Sequence, residues 1–175
     1  VDSRRLLWAA GFGYQNKEDQ IEASDKSIYN LASVTKVITA TAIMQLVEKG
    51  LIDLDKPILE YISEFKIKSR FKDNTPITVR TLLTHHSGLP GDRQINQFTR
   101  KPHEHFNVVL DHFKNEYRAF PPDHVWAYCN LGYNLLGVII ERASGISYED
   151  YINGNIFKPL GMTNSAVNKD KIPAG

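Results

Sequence analysis

Apolar residues are unevenly spread along the chain, and their spacing changes twice. Residues 5–14 (RLLWAAGFGY) form a dense aromatic and aliphatic run broken by Gly11 and Gly13. This reads as a strand that bends or meets a close neighbour. One or two strands are expected within residues 1–30. From Ser33 to Lys49 the spacing becomes helical, with Val34, Val37, Ile38, Ala42, Met44 and Val47 covering a broad face and Gly50 placed to end the helix. Such breadth predicts a helix buried on most sides. Asp53, Asp55 and Pro57 break the pattern, and Ile58, Leu59, Tyr61, Ile62 and Phe65 predict a brief helix after a loop.

Thr78 stands before Val79, Leu82 and Leu83 as the N-cap of another short helix, which the turn at residues 85–90 ends. Residues 91–102 are polar and aperiodic and read as an exposed excursion. Helical spacing returns at Phe106, Val109, Leu110 and Phe113, ends before Pro121 and Pro122, and resumes over residues 131–143 with Gly145 as the stop. Ser147-Tyr148-Glu149-Asp150 resembles a capping box feeding a last helix through Phe157, with Pro159 and Gly161 ending it. The pattern is therefore a short β beginning followed by helices, without internal repeats.

Composition narrows the classes. The 175 residues are 42% hydrophobic and 23% charged, enough to bury one core. Twenty-one basic residues against 20 acidic ones leave a formal charge of +1, with no long run of either sign, so nothing directs the chain to nucleic acid or an anionic membrane. One cysteine, Cys129, cannot close an internal disulfide. The longest apolar stretch, around residues 37–47, is interrupted by polar side chains and falls far short of the ~20 residues that span a bilayer. No transmembrane segment is expected. The first residues, beginning at Val1, show no initiator methionine and no signal-type apolar core, as expected of a processed or excerpted sequence.

The candidate chemistry begins at Ser33-Val34-Thr35-Lys36, where a hydroxyl and an amine lie three positions apart on one helical face. A serine hydroxyl is a poor nucleophile unaided, and a lysine serves as base only when neutral. At a helix N-terminus the nucleophile's own N–H could also help hold an oxyanion. S-x-x-K alone is a weak pattern, more readily read as a capping serine and an exposed lysine. Tyr128-Cys129-Asn130 adds a phenol able to shuttle a proton and an amide able to orient substrate and lysine, against the plainer reading of a core tyrosine and a capping asparagine.

Five segments together carry a resemblance. Leu31-Ala32-Ser33-Val34-Thr35-Lys36 resembles the nucleophile motif of the class C β-lactamase and penicillin-binding-protein superfamily. The segment from Leu82 to Pro90 (LLTHHSGLP) is similar to its L-L-T-H-x-S-G-L stretch, Tyr128-Cys129-Asn130 with Leu131-Gly132-Tyr133 to its Y-x-N motif, and residues 157–162 to its P-L-G-M turn. The segment from Gly50 to Ile58 resembles the loop after the nucleophile helix. The matches run in family order along nearly the whole chain.

The resemblance implies an α+β fold of the β-lactamase/transpeptidase-like kind, with a helical domain beside an antiparallel sheet and the site between them. Residues 1–30 would supply N-terminal strands and residues 31–175 the helical region, together one incomplete catalytic domain. It implies Ser33 as nucleophile, Lys36 and Tyr128 jointly as proton carriers, and Asn130 as a substrate-binding group, with His85 and Ser87 holding a loop in shape. Cys129 departs from the small residue more usual there. The third motif, a K-T-G or H-x-G strand lining the opposite wall and supplying a second oxyanion donor, is absent from residues 1–175. Losing one such donor costs about 10²–10³ in rate. An isolated chain is thus expected to be inactive or dependent on a partner.

His103-Glu104-His105 with His112 invites a metal reading, but ligands two apart do not share a helical face, and no H-E-x-x-H pattern occurs. No metal and no cofactor is expected. The leading expectation is a serine hydrolase that forms an acyl-Ser33 and passes it to water, acting on a small-molecule or peptide substrate: a β-lactam, a D-alanyl peptide or an ester. The alternatives are a sensor that is acylated without turnover and a non-catalytic homologue. By resemblance the location is periplasmic or envelope-exposed. The sequence does not reveal the oligomeric state.

Overall fold

The computed structural model describes residues 5–72, 74–91 and 105–168. The expected excursion at residues 92–102, together with His103 and Glu104, lies outside the described residues. The chain begins with a small hairpin, β1 (Tyr14–Asn16) antiparallel to β2 (Ile21–Glu22). Asn16 organises its turn, its Oδ1 accepting the N–H groups of Glu18 and Asp19 at 3.0 and 3.1 Å. Residues 5–12, expected as the long strand, pair with no strand among the described residues. Trp8 and Phe12 lie 71% and 80% exposed with ring centroids 6.2 Å apart. The run is apolar enough for a strand, but a strand also needs a hydrogen-bonding neighbour. Gly11 does meet the close neighbour its position suggests, since a Cβ there would collide with the backbone of Ala23 and Ser24.

Five α-helices follow among the described residues: α1 (Thr35–Glu48), α2 (Val79–Leu83), α3 (Val109–Phe113), α4 (Asn130–Ser144) and α5 (Tyr148–Ile152), the last running into a π-helical turn at Asn153–Phe157. α4 is the hub. It packs against α1, α2, α3 and α5 and buries Leu131, Leu135, Leu136, Val138, Ile139 and Ile140. α1 presents Thr39, Ala42, Ile43 and Leu46 to this core, one stripe of i, i+3, i+4 and i+7 positions. Val34, Val37 and Met44 remain exposed, so the helix is not buried on most sides. Its described neighbours, α4, α5 and the turns beside them, cover one flank only.

Caps stand where the polar residues announce them. Thr78 accepts the Thr81 N–H at 3.2 Å while Thr81 Oγ1 accepts the Thr78 N–H at 3.0 Å, a reciprocal cap on α2. Ser147 accepts the Asp150 N–H at 3.1 Å, but the Asp150 carboxylate accepts a hydrogen bond from the Ser147 hydroxyl instead of closing a box. Gly50 and Gly145 end α1 and α4 with φ of 69° and 74°. The segment after Pro57 holds only a 3-10 turn, Ile58–Glu60. Ile58, Ile62 and Phe65 are nevertheless buried, because the Ile58 N–H donates laterally to the Ile77 carbonyl at 2.9 Å and fixes the segment against its neighbour. α3 stops at Phe113, and the chain then bridges Tyr117 to Lys68 in parallel.

The turn at residues 85–88 ties the loop before α4 to the body. The His85, His86 and Gly88 carbonyls accept N–H groups of Ala127, Asp123 and Ala119 at 2.9, 2.8 and 2.8 Å. Gly88 has φ 69°, and a Cβ on it would collide with the Phe120 carbonyl. Gly88→Ala should therefore lower stability by about 2–4 kcal/mol, adding left-handed strain to overpacking. Urea unfolding measures it, and a loss under about 0.5 kcal/mol, the scale of an ordinary surface change, would contradict this account.

Candidate active site

Ser33 lies in a 3-10 turn, Ala32–Val34, that leads into α1. The turn is strained: Ala32, a residue with a Cβ, has φ 45°. Asn30 supports it by accepting the Ala32 N–H on Oδ1 at 2.8 Å. One turn later, Lys36 donates from Nζ to Ser33 Oγ at 3.3 Å. The i, i+3 spacing thus brings hydroxyl and amine together on the helix surface.

Tyr128 and Asn130 arrive from the opposite side. The Tyr128 hydroxyl is 2.7 Å from Ser33 Oγ. Asn130, first residue of α4, accepts from Lys36 Nζ on Oδ1 at 2.5 Å. Residues 33, 36, 128 and 130 therefore form one hydrogen-bonded group, although 95 positions separate Ser33 from Tyr128. The geometry gives the hydroxyl two proton-carrying neighbours and holds the lysine between serine and amide.

Cys129 has a role that its departure from the family pattern left open. Its Sγ accepts the Gly132 N–H at 3.2 Å as the N-cap of α4, and its thiol donates to the Pro90 carbonyl at 3.4 Å. A Cβ at Gly132 would meet Cys129 Sγ and Leu82 at ordinary van der Waals distance, so the thiol and the first turn of α4 pack closely. The residue between Tyr128 and Asn130 thus joins loop and helix.

Aromatic rings surround the lysine. Lys36 Nζ lies 4.7 Å from the Tyr128 ring centroid and 5.4 Å from that of Tyr133, distances at which a cation is attracted to a ring face. The Tyr133 hydroxyl donates to the Leu83 carbonyl at 3.0 Å. Burial, with a smaller contribution from Tyr128, pushes the Tyr133 phenol above its ordinary range. His85 stands behind Tyr128. Burial first, then the charges of Lys36 and His86, hold its imidazole below the ordinary histidine value. Tyr133 had a usable signal, its place three residues after Asn130 on the same helix, whereas nothing local in the sequence places His85 against Tyr128. Ser87 is buried in the turn, and its Oγ accepts the Leu89 N–H at 3.4 Å.

Of the histidines considered for a metal, His103 lies outside the described residues. His105 Nε2 lies 3.7 Å from Glu141, and among the described residues no group of three or more His, Cys, Asp or Glu side chains is placed to hold a metal ion. No helix among the described residues is long and apolar enough to cross a membrane. Two surface clefts lie away from Ser33, one beside Asp53 and Arg80, the other beside Phe65 and Arg118.

Comparison with known proteins identifies the family. The family model described as Beta-lactamase matches residues 1–174. A penicillin-binding protein of Bacillus subtilis (strain 168) is 35% identical over 167 residues, covering 93% of this chain and 35% of that protein. The octameric penicillin-binding protein homologue from Pyrococcus abyssi superposes with a TM-score of 0.78 at 32% identity, over 98% of this chain and 40% of that one. D-amino acid amidase from Ochrobactrum anthropi SV3, complexed with L-phenylalanine, gives a TM-score of 0.76 at 30% identity, over 92% and 44% of the two chains. The chain spans about a third of the length of the curated relatives it matches. With a helix-rich body, a two-stranded hairpin and a family match along almost its whole length, the chain belongs to the beta-lactamase family.

Proposed function

We propose that this chain carries the acylating centre of a serine hydrolase, with Ser33 as nucleophile, Lys36 and Tyr128 as its shared proton carriers and Asn130 as the substrate-orienting amide. One observation carries the reading: Ser33 Oγ sits 2.7 Å from the Tyr128 hydroxyl and 3.3 Å from Lys36 Nζ, within or just beyond the reach proton transfer requires. A strained turn before Ser33 and an amide fixed at the first position of α4 support it.

The steps follow from the atoms. Ser33 Oγ attacks a carbonyl carbon and gives its proton to the Lys36 and Tyr128 pair. The pair returns the proton to the departing nitrogen or oxygen as the bond to it breaks. Water then attacks the acyl-serine, gives a proton to the same pair, and releases the acid while Ser33 regains its hydroxyl. Asn130 has a side-chain N–H₂ that can donate to a substrate carbonyl while its oxygen holds Lys36. The proposed substrates are amides and esters: β-lactams, D-alanyl peptides or simple esters. An envelope-exposed location belongs to the same proposal, as does the activity of any longer protein.

Intact-mass spectrometry after incubation with a penicillin, and separately with an activated ester, tests the centre. The expected outcome is an adduct of one acyl group per chain, on this chain or on one extended beyond Gly175, that is missing in Ser33→Ala, and its rate of decay separates a hydrolase from a sensor. A folded chain that forms no adduct, alone or extended beyond Gly175, removes Ser33 as nucleophile. Tyr128→Phe keeps the ring and removes the proton carrier. It should slow acylation by about 10²–10⁴ with the fold intact by circular dichroism, the range for loss of a general acid or base; an unchanged rate would leave Lys36 to act alone.

A further inference from the structure

His85 adopts φ 62°, a left-handed conformation that costs a histidine more than a glycine or asparagine. What the conformation achieves is seen at Tyr128. The His85 carbonyl accepts the Ala127 N–H at 2.9 Å, and its ring Nδ1 accepts the Cys129 N–H at 3.2 Å. One histidine therefore grips the residues on both sides of Tyr128. Its ring also lies 4.6 Å from the Tyr128 ring and 5.2 Å from the Tyr133 ring, with Trp126 edge-on at 6.1 Å.

We propose that His85 is a positioning residue for Tyr128: neutral, with its proton on Nε2, it holds the phenol against Ser33, and protonation of Nδ1 releases it. The inference rests on the reading of Tyr128 as a proton carrier. The tautomer follows from the Cys129 N–H, which needs a lone pair on Nδ1. A proton there would set N–H against N–H and break the grip.

The groups facing the ring fix the sign of the pH effect. Lys36 faces it from α1, His86 from the same turn, Trp126 and Tyr128 from the loop, and Tyr133 from α4. Two of these repel a second positive charge, and burial disfavours it further, so the folded protein holds His85 below its unfolded value. The contribution of neutral His85 is thus complete above about pH 6.5 and is lost as the pH falls through the lower folded value.

Asparagine makes the decisive variant, because its Oδ1 stands the same number of bonds from Cα as Nδ1, accepts a hydrogen bond, tolerates positive φ and does not titrate. His85→Asn should acylate within about threefold of the parent at neutral pH, and His85→Ala about 10²-fold more slowly, the scale of a catalytic group misplaced by an ångström. The parent should lose acylation rate along an acid limb centred below about pH 6.5, and His85→Asn should lack that limb. Equal losses in the two variants, or an unmoved acid limb in His85→Asn, would reduce His85 to packing.

A second measurement needs no acylation. In NMR titration of the full chain, the Cys129 amide and Tyr128 ring signals should move with the His85 imidazole and stay still in His85→Asn. If they move while the parent, alone or extended beyond Gly175, forms no acyl adduct, the catalytic reading of Tyr128 fails and the positioning by His85 stands. If His85 titrates without moving either signal, the positioning is overturned.

Discussion

The site depends on the turn at residues 85–88, whose carbonyls accept N–H groups from the loop before α4. Ser33 and Lys36 need little from elsewhere, since one turn of helix brings them together. Tyr128 has no such local means. It reaches Ser33 from an irregular segment, and the backbone bonds from Ala119, Asp123 and Ala127 to the 85–88 turn, with the Cys129 N–H on the His85 ring, give that segment a fixed path. Each backbone bond is an ordinary one, contributing about 1 kcal/mol net. Their effect lies in arrangement: three spaced anchors leave a nine-residue loop few alternatives.

α4 supplies the other half of the frame. Among the described residues it buries more side chains than any other helix, and Asn130 is its first residue. The amide that holds Lys36 is thus attached to the element the core stabilises most, while Tyr128 is attached to the turn. The exposed apolar positions of α1 and of residues 5–12 lie outside this frame. They do not contribute to holding the four side chains together.

Much of the helical frame was legible because its signals are local. Thr78 and Ser147 cap helices, Gly50 and Gly145 stop them, and the spacing of residues 131–143 gives α4 almost to its ends. The misreadings share another cause. Residues 5–14 look like a strand, yet their state depends on a pairing partner, which no local pattern encodes. α1 reads as buried on most sides because periodicity reports where apolar residues lie and not what covers them. The four candidate site residues were legible through motif order, not physics, because 95 positions separate Ser33 from Tyr128. His85 was visible as part of a turn, but its ring against Tyr128 is a tertiary fact. Cys129 likewise read only as a departure, since a thiol that caps a helix cannot be told from one that merely fills space.

That thiol also links the site to oxidative chemistry. Cys129 is buried, with its sulfur between the Pro90 carbonyl and the first turn of α4. An oxidant can add oxygen to it only after loop and helix separate, and the oxidised sulfur no longer fits between them. Oxidation at this position is therefore gated by the opening of the site, and only once it passes the reversible sulfenic acid does it hold the site open. Sulfur at position 129 gives the helix its cap and at the same time exposes the chain to an irreversible loss that a serine cap would not carry.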